Sequence, residues 1–263
     1  MTAKRPQSSG KPKVVPLRPP TGPTRLAGKL AVVTGGSKGM GYAIARALAM
    51  EGANIVITGR DLTTLTKSAA ALRREVQGPA NILAMTCDVR VPQSVARLFA
   101  VVKRRFAQID ILVNNAGVGQ APRPLLEISL ETWRDNIETN LTGMFLCTRA
   151  ALPQMKAGAT IVNNLSVAAR HVFPQSYAYT SSKMGAMGFT QTLREELAPR
   201  AIRVMALMAG ATSTDMWQQI MPEAPRERMM DVETVAQAVV YAVLLPANVN
   251  PTEISLDPVG GAL

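Results

Sequence analysis

The chain of 263 residues has few of the residues that build metal sites and disulfide frameworks. It contains two cysteines, Cys87 and Cys147, outside any CxxC pattern, and a single histidine, His171. Two cysteines cannot form a disulfide framework, and one histidine cannot complete a zinc-ligand cluster with them. We therefore predict that the protein holds no metal and that both cysteines are buried thiols in a reducing cytoplasm.

Aromatic residues and long apolar runs are also scarce. Aromatic side chains make up 4% of the residues although 47% are hydrophobic, which suits helices that pack closely on a sheet. No apolar run reaches the ~20 residues that a membrane-spanning helix needs, and the first residues lack the apolar core of a secretory signal. The composition predicts a cytoplasmic protein with no membrane span and one large α/β domain.

The net charge of +11 is concentrated near the N-terminus. Residues 1–28 carry six basic residues, no acidic residue and six prolines, so the remainder of the chain carries +5. Because proline fixes φ and removes an N–H donor, we interpret 1–28 as a basic N-terminal arm that is flexible or extended. The preferred interpretation is that this arm is a non-essential tail. The alternative is that it binds an acidic partner, and nucleic-acid binding is not expected.

From Lys29 onward, short β-branched runs alternate with helical stretches, which is typical of a parallel sheet covered on both faces. The strand candidates are Leu30–Thr34, Asn54–Thr58, Ile82–Cys87, Ile111–Asn114, Thr160–Asn164, Arg203–Leu207 and Glu253–Leu256. The helical candidates are 40–51, 61–76, 92–106, 129–155, 176–198 and 231–244, with Asp61 and Ser129 as N-caps. We predict a single-domain α/β fold over 29–263, with a Rossmann-type doubly wound sheet of seven parallel strands.

The first strand leads directly into a glycine-rich segment, TGGSKGMG at residues 34–41, and a helix follows it. Glycines at this place allow a tight turn and a close approach of the backbone to a pyrophosphate. The free N–H groups at the helix N-terminus then meet the negative charge of the phosphates. The segment therefore predicts a dinucleotide site.

A tyrosine and a lysine are spaced for acid–base chemistry. Tyr179 and Lys183 are four residues apart in a helical stretch, so their side chains project from the same face. A phenol with a pKa near 10 is a poor acid–base catalyst at neutral pH, and a nearby ammonium favours its ionised form. Tyr177 has Ser181 at the corresponding position and lacks such a cation. Tyr179 can therefore exchange a proton with a carbonyl or an alcohol oxygen.

These motifs resemble the short-chain dehydrogenase/reductase family along nearly all of residues 29–259. The segment at 34–41 has the family's TGxxxGxG form, residues 114–117 read NNAG, and Tyr179 and Lys183 form its YxxxK pair. The resemblance implies the catalytic set Asn140, Ser166, Tyr179 and Lys183. In that set the serine holds the substrate oxygen, the asparagine anchors a water, and the lysine also bonds the nicotinamide ribose.

The cofactor is predicted to be NADP(H). Arg60 follows the second strand, where an acidic residue would hydrogen-bond a ribose 2′-hydroxyl, and Lys38 offers a second positive charge. The planar guanidinium of arginine suits a phosphate. Asp61 is interpreted as a helix cap, but its carboxylate next to Arg60 leaves NAD(H) as an alternative cofactor. The cofactor-binding residues implied are Gly35, Ser37, Lys38, Gly39, Met40, Gly41, Arg60, Asp88, Val89, Asn115, Ala116, Gly117, Tyr179, Lys183, Gly210, Thr212 and Thr214.

The chain departs from the family pattern after the sixth strand. Ala209 stands where the family usually has proline, so we expect a less rigid hold on the loop at 211–216. The segment at 253–260 lacks the threonine–glycine entry that commonly precedes the last strand in the family. It resembles reductases of 3-hydroxy acids and related carbonyls more than it resembles most 3-oxoacyl-carrier-protein reductases. The predicted substrate wall consists of Val118, Gln120, His171, Phe173, Met216, Trp217 and Ile220.

This wall is mostly apolar and favours a lipophilic or acyl-chain substrate. Met216 and Trp217 have an alternative interpretation, as the core of a small lid helix. His171 does not indicate a Ser-His-Asp hydrolase, because the residues beside Ser166 are not the glycines of a nucleophile elbow.

We thus expect an NADP(H)-dependent oxidoreductase that interconverts a carbonyl and a secondary alcohol, with Tyr179 as general acid/base. A 3-oxoacyl thioester, a small hydroxy acid and a free ketone remain competing substrates. A carrier-protein substrate would use a basic entrance, which Arg123, Arg170 and Arg200 could supply. The alternative function is a non-catalytic NADP(H)-binding sensor or scaffold acting through its N-terminal arm. The resemblance also implies a homotetramer or homodimer, through the helices at 92–106 and 129–155.

Overall fold

The computed structural model describes residues 24–76, 78 and 80–261, which form one α/β domain. Its strands are β1 (Leu30–Val33), β2 (Asn54–Gly59), β3 (Ile82–Thr86), β4 (Ile111–Asn114), β5 (Thr160–Asn164), β6 (Arg203–Ala209) and β7 (Glu253–Leu256). All seven pair in parallel in one sheet of order β3-β2-β1-β4-β5-β6-β7. The predicted fold class is confirmed.

Eight α-helices cover the described part of the sheet. They are α1 (Gly39–Met50), α2 (Leu62–Glu75), α3 (Pro92–Arg105), α4 (Leu130–Ile137), α5 (Gly143–Ala151), α6 (Tyr177–Leu197), α7 (Met216–Ile220) and α8 (Val232–Val243). The predicted N-caps are confirmed, because the side chains of Asp61 and Ser129 accept the N–H groups of Thr64 and Thr132 at 2.6 and 3.0 Å.

The single helix expected over 129–155 is wrong. A π-helical turn at Glu138–Thr142 separates α4 from α5, and a 3-10 turn at Leu152–Gln154 ends the segment. Hydrophobic periodicity cannot distinguish an inserted π turn from a continuous helix, because the turn adds only one residue to the spacing. The turn carries Asn140, so it belongs to the region of the candidate site.

The sheet is buried on both faces, as expected for parallel strands. In β1, Ala31 and Val33 face one apolar cluster and Leu30 and Val32 face the other. Helices α1 and α8 contribute to the first cluster, and α3 and α5 contribute to the second. Cys87 and Cys147 are free and buried in the second, as predicted, and burial raises the pKa of both thiols.

The domain begins before the predicted boundary at residue 28. Leu26 is buried, and its N–H donates to the carbonyl oxygen of Glu51 at 2.8 Å. Arg25 pairs with the carboxylate of Glu51. Residues 24–28 therefore pack on the domain, because an apolar side chain and an ion pair hold them there. The rest of the predicted arm, residues 1–23, lies outside the described residues, and its flexible or extended character stays a prediction.

The order of the strands defines a crevice for ligands. The chain moves outward from β1 through β2 to β3, and then returns to β4 on the other side of β1. In doubly wound sheets ligands bind at the carboxyl ends of the strands where this order reverses. Among the described residues no helix has the length and apolarity to cross a membrane.

Candidate active site

The glycine-rich loop between β1 and α1 is packed closely against the turn after β4. Gly35 has a φ of +62°, a left-handed conformation that favours glycine. A Cβ atom on Gly41 would lie 2.3 Å from Asn115 Nδ2 and 2.4 Å from the carbonyl oxygen of Gly35. Neither contact is possible for a side chain, so the loop and the turn can approach each other only because glycine is present.

Hydrogen bonds join this loop and the turn into one unit. The Thr34 hydroxyl accepts the N–H groups of Asn115 and Ala116 at 2.9 and 3.0 Å. The Asn115 side chain donates to the carbonyl oxygens of Thr34 and Gly35, and it accepts a bond from Asn164 at 2.8 Å. The supporting roles of Thr34 and Asn164 were not predicted, and a polar side chain at the carboxyl end of a buried strand was the available signal.

A cavity of about 220 Å³ lies along this unit at the carboxyl ends of β1, β2 and β4. Of the predicted cofactor residues, those that line it are Gly35, Ser37, Lys38, Gly39, Met40, Gly41, Arg60, Asp88, Val89, Asn115, Ala116, Gly117 and Thr214. Gly210, Thr212 and Tyr179 instead line a neighbouring cavity, while Lys183 is buried and lines neither. We call the first space the dinucleotide cavity.

Both basic residues predicted to bind the cofactor line the dinucleotide cavity. Arg60 and Lys38 both line the cavity, and the two side chains come from the loops that follow β2 and β1. The carboxylate of Asp61 is used in capping α2, and its hydrogen bonds to Thr64 lower its pKa. Lys38 Nζ lies 3.8 Å from Asp215 Oδ2, so an acidic group is also near.

Asp88 is held by a residue that sequence reasoning missed. Arg90 donates to both carboxylate oxygens of Asp88, at 2.7 to 3.2 Å, and to Asp135 at 2.7 Å. The guanidinium of Arg90 keeps the pKa of Asp88 below its ordinary value. Arg90 also lines the dinucleotide cavity. It therefore fixes both the charge and the orientation of the carboxylate.

Helix α6 brings Tyr179 and Lys183 to the carboxyl edge of β5. Lys183 Nζ donates to the carbonyl oxygen of Asn164 at 3.1 Å and lies 5.6 Å from the centroid of the Tyr179 ring. Ser166 lies two residues beyond the end of β5 and lines the same cavity as Tyr179. The structure thus brings three of the four predicted catalytic residues together.

Burial changes the proton affinities of this group. Lys183 is 5% exposed, and desolvation lowers its pKa to about 8. Desolvation raises the pKa of Tyr179, and the Ser166 hydroxyl offsets only part of that effect. The expectation that a nearby ammonium favours the ionised phenol stays a prediction, while the loss of water around the phenolate acts in the opposite direction.

Asn140, the fourth predicted catalytic residue, links the π-helical turn to the turn after β4. Its side chain donates to the carbonyl oxygen of Val118 at 3.0 Å and to Ser182 Oγ at 2.9 Å, and it accepts the Val118 N–H at 2.9 Å. A Cβ atom on Gly117 would lie 3.2 Å from Asn140 Oδ1 and 3.7 Å from Lys183 Nζ. Asn140 and Lys183 therefore flank Gly117.

A second cavity, of about 190 Å³, lies beside the dinucleotide cavity. Met40, Thr214 and Met216 line both spaces, so the two adjoin, and Ser166 and Tyr179 line the second. We call it the substrate cavity. The predicted substrate residues that line it are Gln120, Phe173, Met216, Trp217 and Ile220.

Two of the predicted substrate residues lie elsewhere. Val118 lines the dinucleotide cavity, while His171 is exposed and lines neither space. The alternative that Met216 and Trp217 are helix core is wrong, because α7 has no buried residue. Both side chains line the substrate cavity, and Trp217 Nε1 donates to the carbonyl oxygen of Thr212 at 2.9 Å.

Hydrogen bonds hold the loop at 211–216 in place, although position 209 has alanine where the family usually has proline. Ser213 N donates to the Met230 carbonyl oxygen, and Met230 N donates to that of Ala211, each at 2.9 Å. Arg226 Nη1 donates to the carbonyl oxygen of Thr214 at 3.0 Å. Backbone pairing with a distant segment thus holds this wall.

The three arginines proposed for a basic entrance do not converge. Arg123 lies 3.8 Å from Glu127, and Arg170 pairs with Glu253. Arg200 donates to the carbonyl oxygen of Met155 at 3.2 Å, next to the amino end of β5 and far from the carboxyl edge. Arg200 therefore does not belong to a basic entrance, and an entrance formed by Arg123 and Arg170 stays a prediction.

The chain is similar to characterised proteins over almost its whole length. A family model described as short chain dehydrogenase matches residues 29–225. A 3-oxoacyl-[acyl-carrier-protein] reductase of Synechocystis is 33% identical over 245 residues, which cover 90% of this chain and 98% of that protein. A farnesol dehydrogenase of Aedes aegypti is 33% identical over 246 residues, with 90% and 98% covered.

The chain is also similar to a solved structure. The alcohol dehydrogenase of the archaeon Thermococcus sibiricus, complexed with 5-hydroxy-NADP, superimposes with a TM-score of 0.81. It is 31% identical in sequence, and the match covers 88% of this chain and 97% of that one.

Proposed function

The chain belongs to the short chain dehydrogenase family, and from this premise we propose that it is an NADP(H)-dependent oxidoreductase that interconverts a carbonyl and a secondary alcohol. One observation carries the proposal. Tyr179 and Ser166 line the substrate cavity, which adjoins the dinucleotide cavity, and Lys183 is buried beside Tyr179. A proton donor, an oxygen-binding hydroxyl and an ammonium are thus within one small volume.

The residues of this group have complementary roles. When bound, the nicotinamide supplies or accepts the hydride. Ser166 and Tyr179 hold the oxygen of the substrate, and Tyr179 donates its proton to that oxygen as negative charge develops there during reduction. In the reverse direction Tyr179 takes the proton of the alcohol. Lys183 stabilises the phenolate that remains after donation, and Asn140 fixes the turn beside Lys183.

NADP(H) is the preferred cofactor. Arg60 and Lys38 provide two positive charges in the dinucleotide cavity, where the extra phosphate of NADP(H) needs them. The capping bond to Thr64 occupies the carboxylate of Asp61, which weakens the case for NAD(H). The Thermococcus sibiricus relative is complexed with an NADP derivative, which supports the same choice.

The alternative of a non-catalytic sensor or scaffold has less support. A binding protein needs no serine, tyrosine and buried lysine around one point of a second cavity. The oligomeric state and the cytoplasmic location stay predictions from the sequence.

An activity assay with a pH profile tests the proposed function. We expect NADPH oxidation with at least one member of a panel of ketones, 3-oxoacyl thioesters and quinones, and weaker oxidation of NADH. The rate of reduction should fall as the pH rises through about 8, because Lys183 then loses its proton and no longer stabilises the phenolate. The Tyr179 phenol stays protonated over this range, because burial raises its pKa.

Binding of NADPH is measured over the same pH range as the control, so that a loss of cofactor is distinguished from a loss of proton transfer. No turnover with any member of the panel would contradict the proposed activity. A rate that stays constant well above pH 8 would contradict the role of Lys183.

A further inference from the structure

We infer that the substrate cavity selects neutral apolar carbonyl compounds, and that Asp257 excludes those with a negative charge. The inference rests on the proposed function and adds to it the class of substrate. The walls of the cavity include Leu165, Val167, Phe173, Trp217, Ile220 and Met221. These side chains can stabilise a hydrocarbon body by removing it from water, but they cannot solvate a charge.

The polar groups of the cavity offer little to an anion. The side-chain amide of Gln120 is already bonded to the backbone around α6. Ser166 and Tyr179 are assigned to the reacting oxygen. No lysine, arginine or histidine is present among the described residues that line the cavity. A carboxylate or sulfonate on the substrate would therefore lose its water without gaining a cation.

Asp257 adds a repulsive charge to this cavity. It follows β7 and lines the cavity, and the neighbouring Leu256 carbonyl oxygen accepts the N–H of Gly210 at 2.8 Å. A Cβ atom on Gly210 would lie 2.4 Å from Asp257 Oδ1, so this oxygen lies directly over the turn after β6. Asp257 forms no ion pair with the described residues. Its carboxylate therefore lines the ligand space while staying exposed to solvent, and no cation among the described residues pairs with it.

A matched pair of substrates tests the inference. Levulinate and ethyl levulinate carry the same ketone, but only the first is charged. We expect the ester to be preferred by about tenfold or more in kcat/KM. This preference should shrink in Asp257→Asn and shrink further, or reverse, in Asp257→Lys. Asp257 is exposed, so both variants should fold. Both compounds are also tested as inhibitors of whichever ketone the panel identifies, so that binding is compared even if neither is reduced.

The outcomes separate the two proposals. If no compound of the panel is turned over, the proposed function fails. If turnover occurs but the acid is used or bound as well as the ester, only the present inference fails. If the preference for the ester is the same in the wild type, Asp257→Asn and Asp257→Lys, then Asp257 does not cause that preference.

Independent contacts identify Gln120 as a positioning residue, and we propose that it sets the orientation of Tyr179. Helix α6 begins at Tyr177, and the side chain of its N-cap Ser176 makes no capping bond. Gln120 Oε1 instead accepts the N–H groups of Ala178 and Tyr179, at 2.8 and 3.3 Å. Gln120 is 7% exposed, so its amide has little access to water that could replace these bonds.

The nitrogen of the same amide bonds a residue with an unusual backbone conformation. Gln120 Nε2 donates at 3.0 Å to the carbonyl oxygen of Gln175, whose φ of +62° is unusual for a residue other than glycine. Position 120 thus requires a side chain with both an acceptor and a donor. Gln120 connects the segment after β4 to the first turn of α6. A small shift of that turn would misplace the phenol relative to the substrate oxygen.

The test compares Gln120→Met, which removes both functions at similar size, with Gln120→Glu, which keeps only the acceptor. We expect kcat to fall by roughly tenfold or more in Gln120→Met, with NADPH affinity retained, and by less in Gln120→Glu. The alkaline limb of the pH profile should move in the methionine variant, because Lys183 lies one turn after Tyr179 on α6 and its surroundings change with the position of that part of the helix. Gln191→Met is the matched control, since Gln191 is exposed on the same helix. A wild-type kcat and pH profile in Gln120→Met would overturn the proposal. If that variant does not fold, the same readouts on Gln120→Glu decide it.

Discussion

Replacing Tyr179 by phenylalanine should lower turnover by about 100-fold to 10,000-fold, which is the range that general acid–base catalysis contributes. The substitution removes only the hydroxyl, and the ring keeps its place on α6 beside Lys183. Without the phenolic proton, the charge that develops on the substrate oxygen has only Ser166 to stabilise it. NADPH affinity should change little. Steady-state rates and the fluorescence of bound NADPH measure the two effects separately.

Tyr177 supplies the control for this experiment. It lies in the same helix turn and its side chain is exposed, but it does not line the substrate cavity. Tyr177→Phe makes the same chemical change and should leave the rate close to that of the wild type. Equal rates in Tyr179→Phe and the wild type would show that another group is the acid.

Replacing Arg60 by aspartate should shift the preference from NADPH toward NADH by about 100-fold. A hydrogen bond to a charged group contributes about 1.5–3 kcal/mol, and the new carboxylate repels the phosphate that Arg60 attracted. The same carboxylate can accept a bond from a ribose 2′-hydroxyl. The measurement is the ratio of kcat/KM for NADPH to that for NADH. The maximal rate with a saturating cofactor should change much less, since Arg60 does not line the substrate cavity.

Arg74→Asp is a suitable control, because Arg74 is an exposed arginine at the end of α2 that does not line the dinucleotide cavity. Its cofactor ratio should remain that of the wild type. An unchanged ratio in Arg60→Asp would mean that Arg60 is only a surface charge, and the choice of NADP(H) would then depend on Lys38.

Features that depend on neighbouring residues were predictable from the sequence. The alternation of β-branched runs and helical stretches predicted seven parallel strands, and the structure confirms them with end points that differ by two residues or fewer. The YxxxK spacing placed Tyr179 and Lys183 on one helix face because the helical repeat fixes that geometry. The caps at Asp61 and Ser129 were predictable for the same reason, since a cap bonds an N–H only a few residues away.

Features that depend on distant residues were not predictable in this way. His171 lies between Ser166 and Tyr179 in the chain, yet it is exposed, while Asp257 reaches the cavity from the last strand. The amide of Gln120 was assigned to the substrate, but it bonds the backbone of α6. The sequence placed Lys183 near Tyr179, but it did not show the burial that raises the pKa of the phenol.

Local periodicity and spacing were enough to predict the sheet, the dinucleotide loop and the Tyr179–Lys183 pair, while Ser166 and Asn140 came from the resemblance to the family. The three-dimensional structure was needed to show which side chains line the substrate cavity, which arginines are already paired, and how strongly water is excluded from Lys183 and Tyr179. These properties arise where segments far apart in the chain meet. Solvent exclusion and hydrogen bonding depend on all the atoms around a group, and the order of residues does not specify those neighbours.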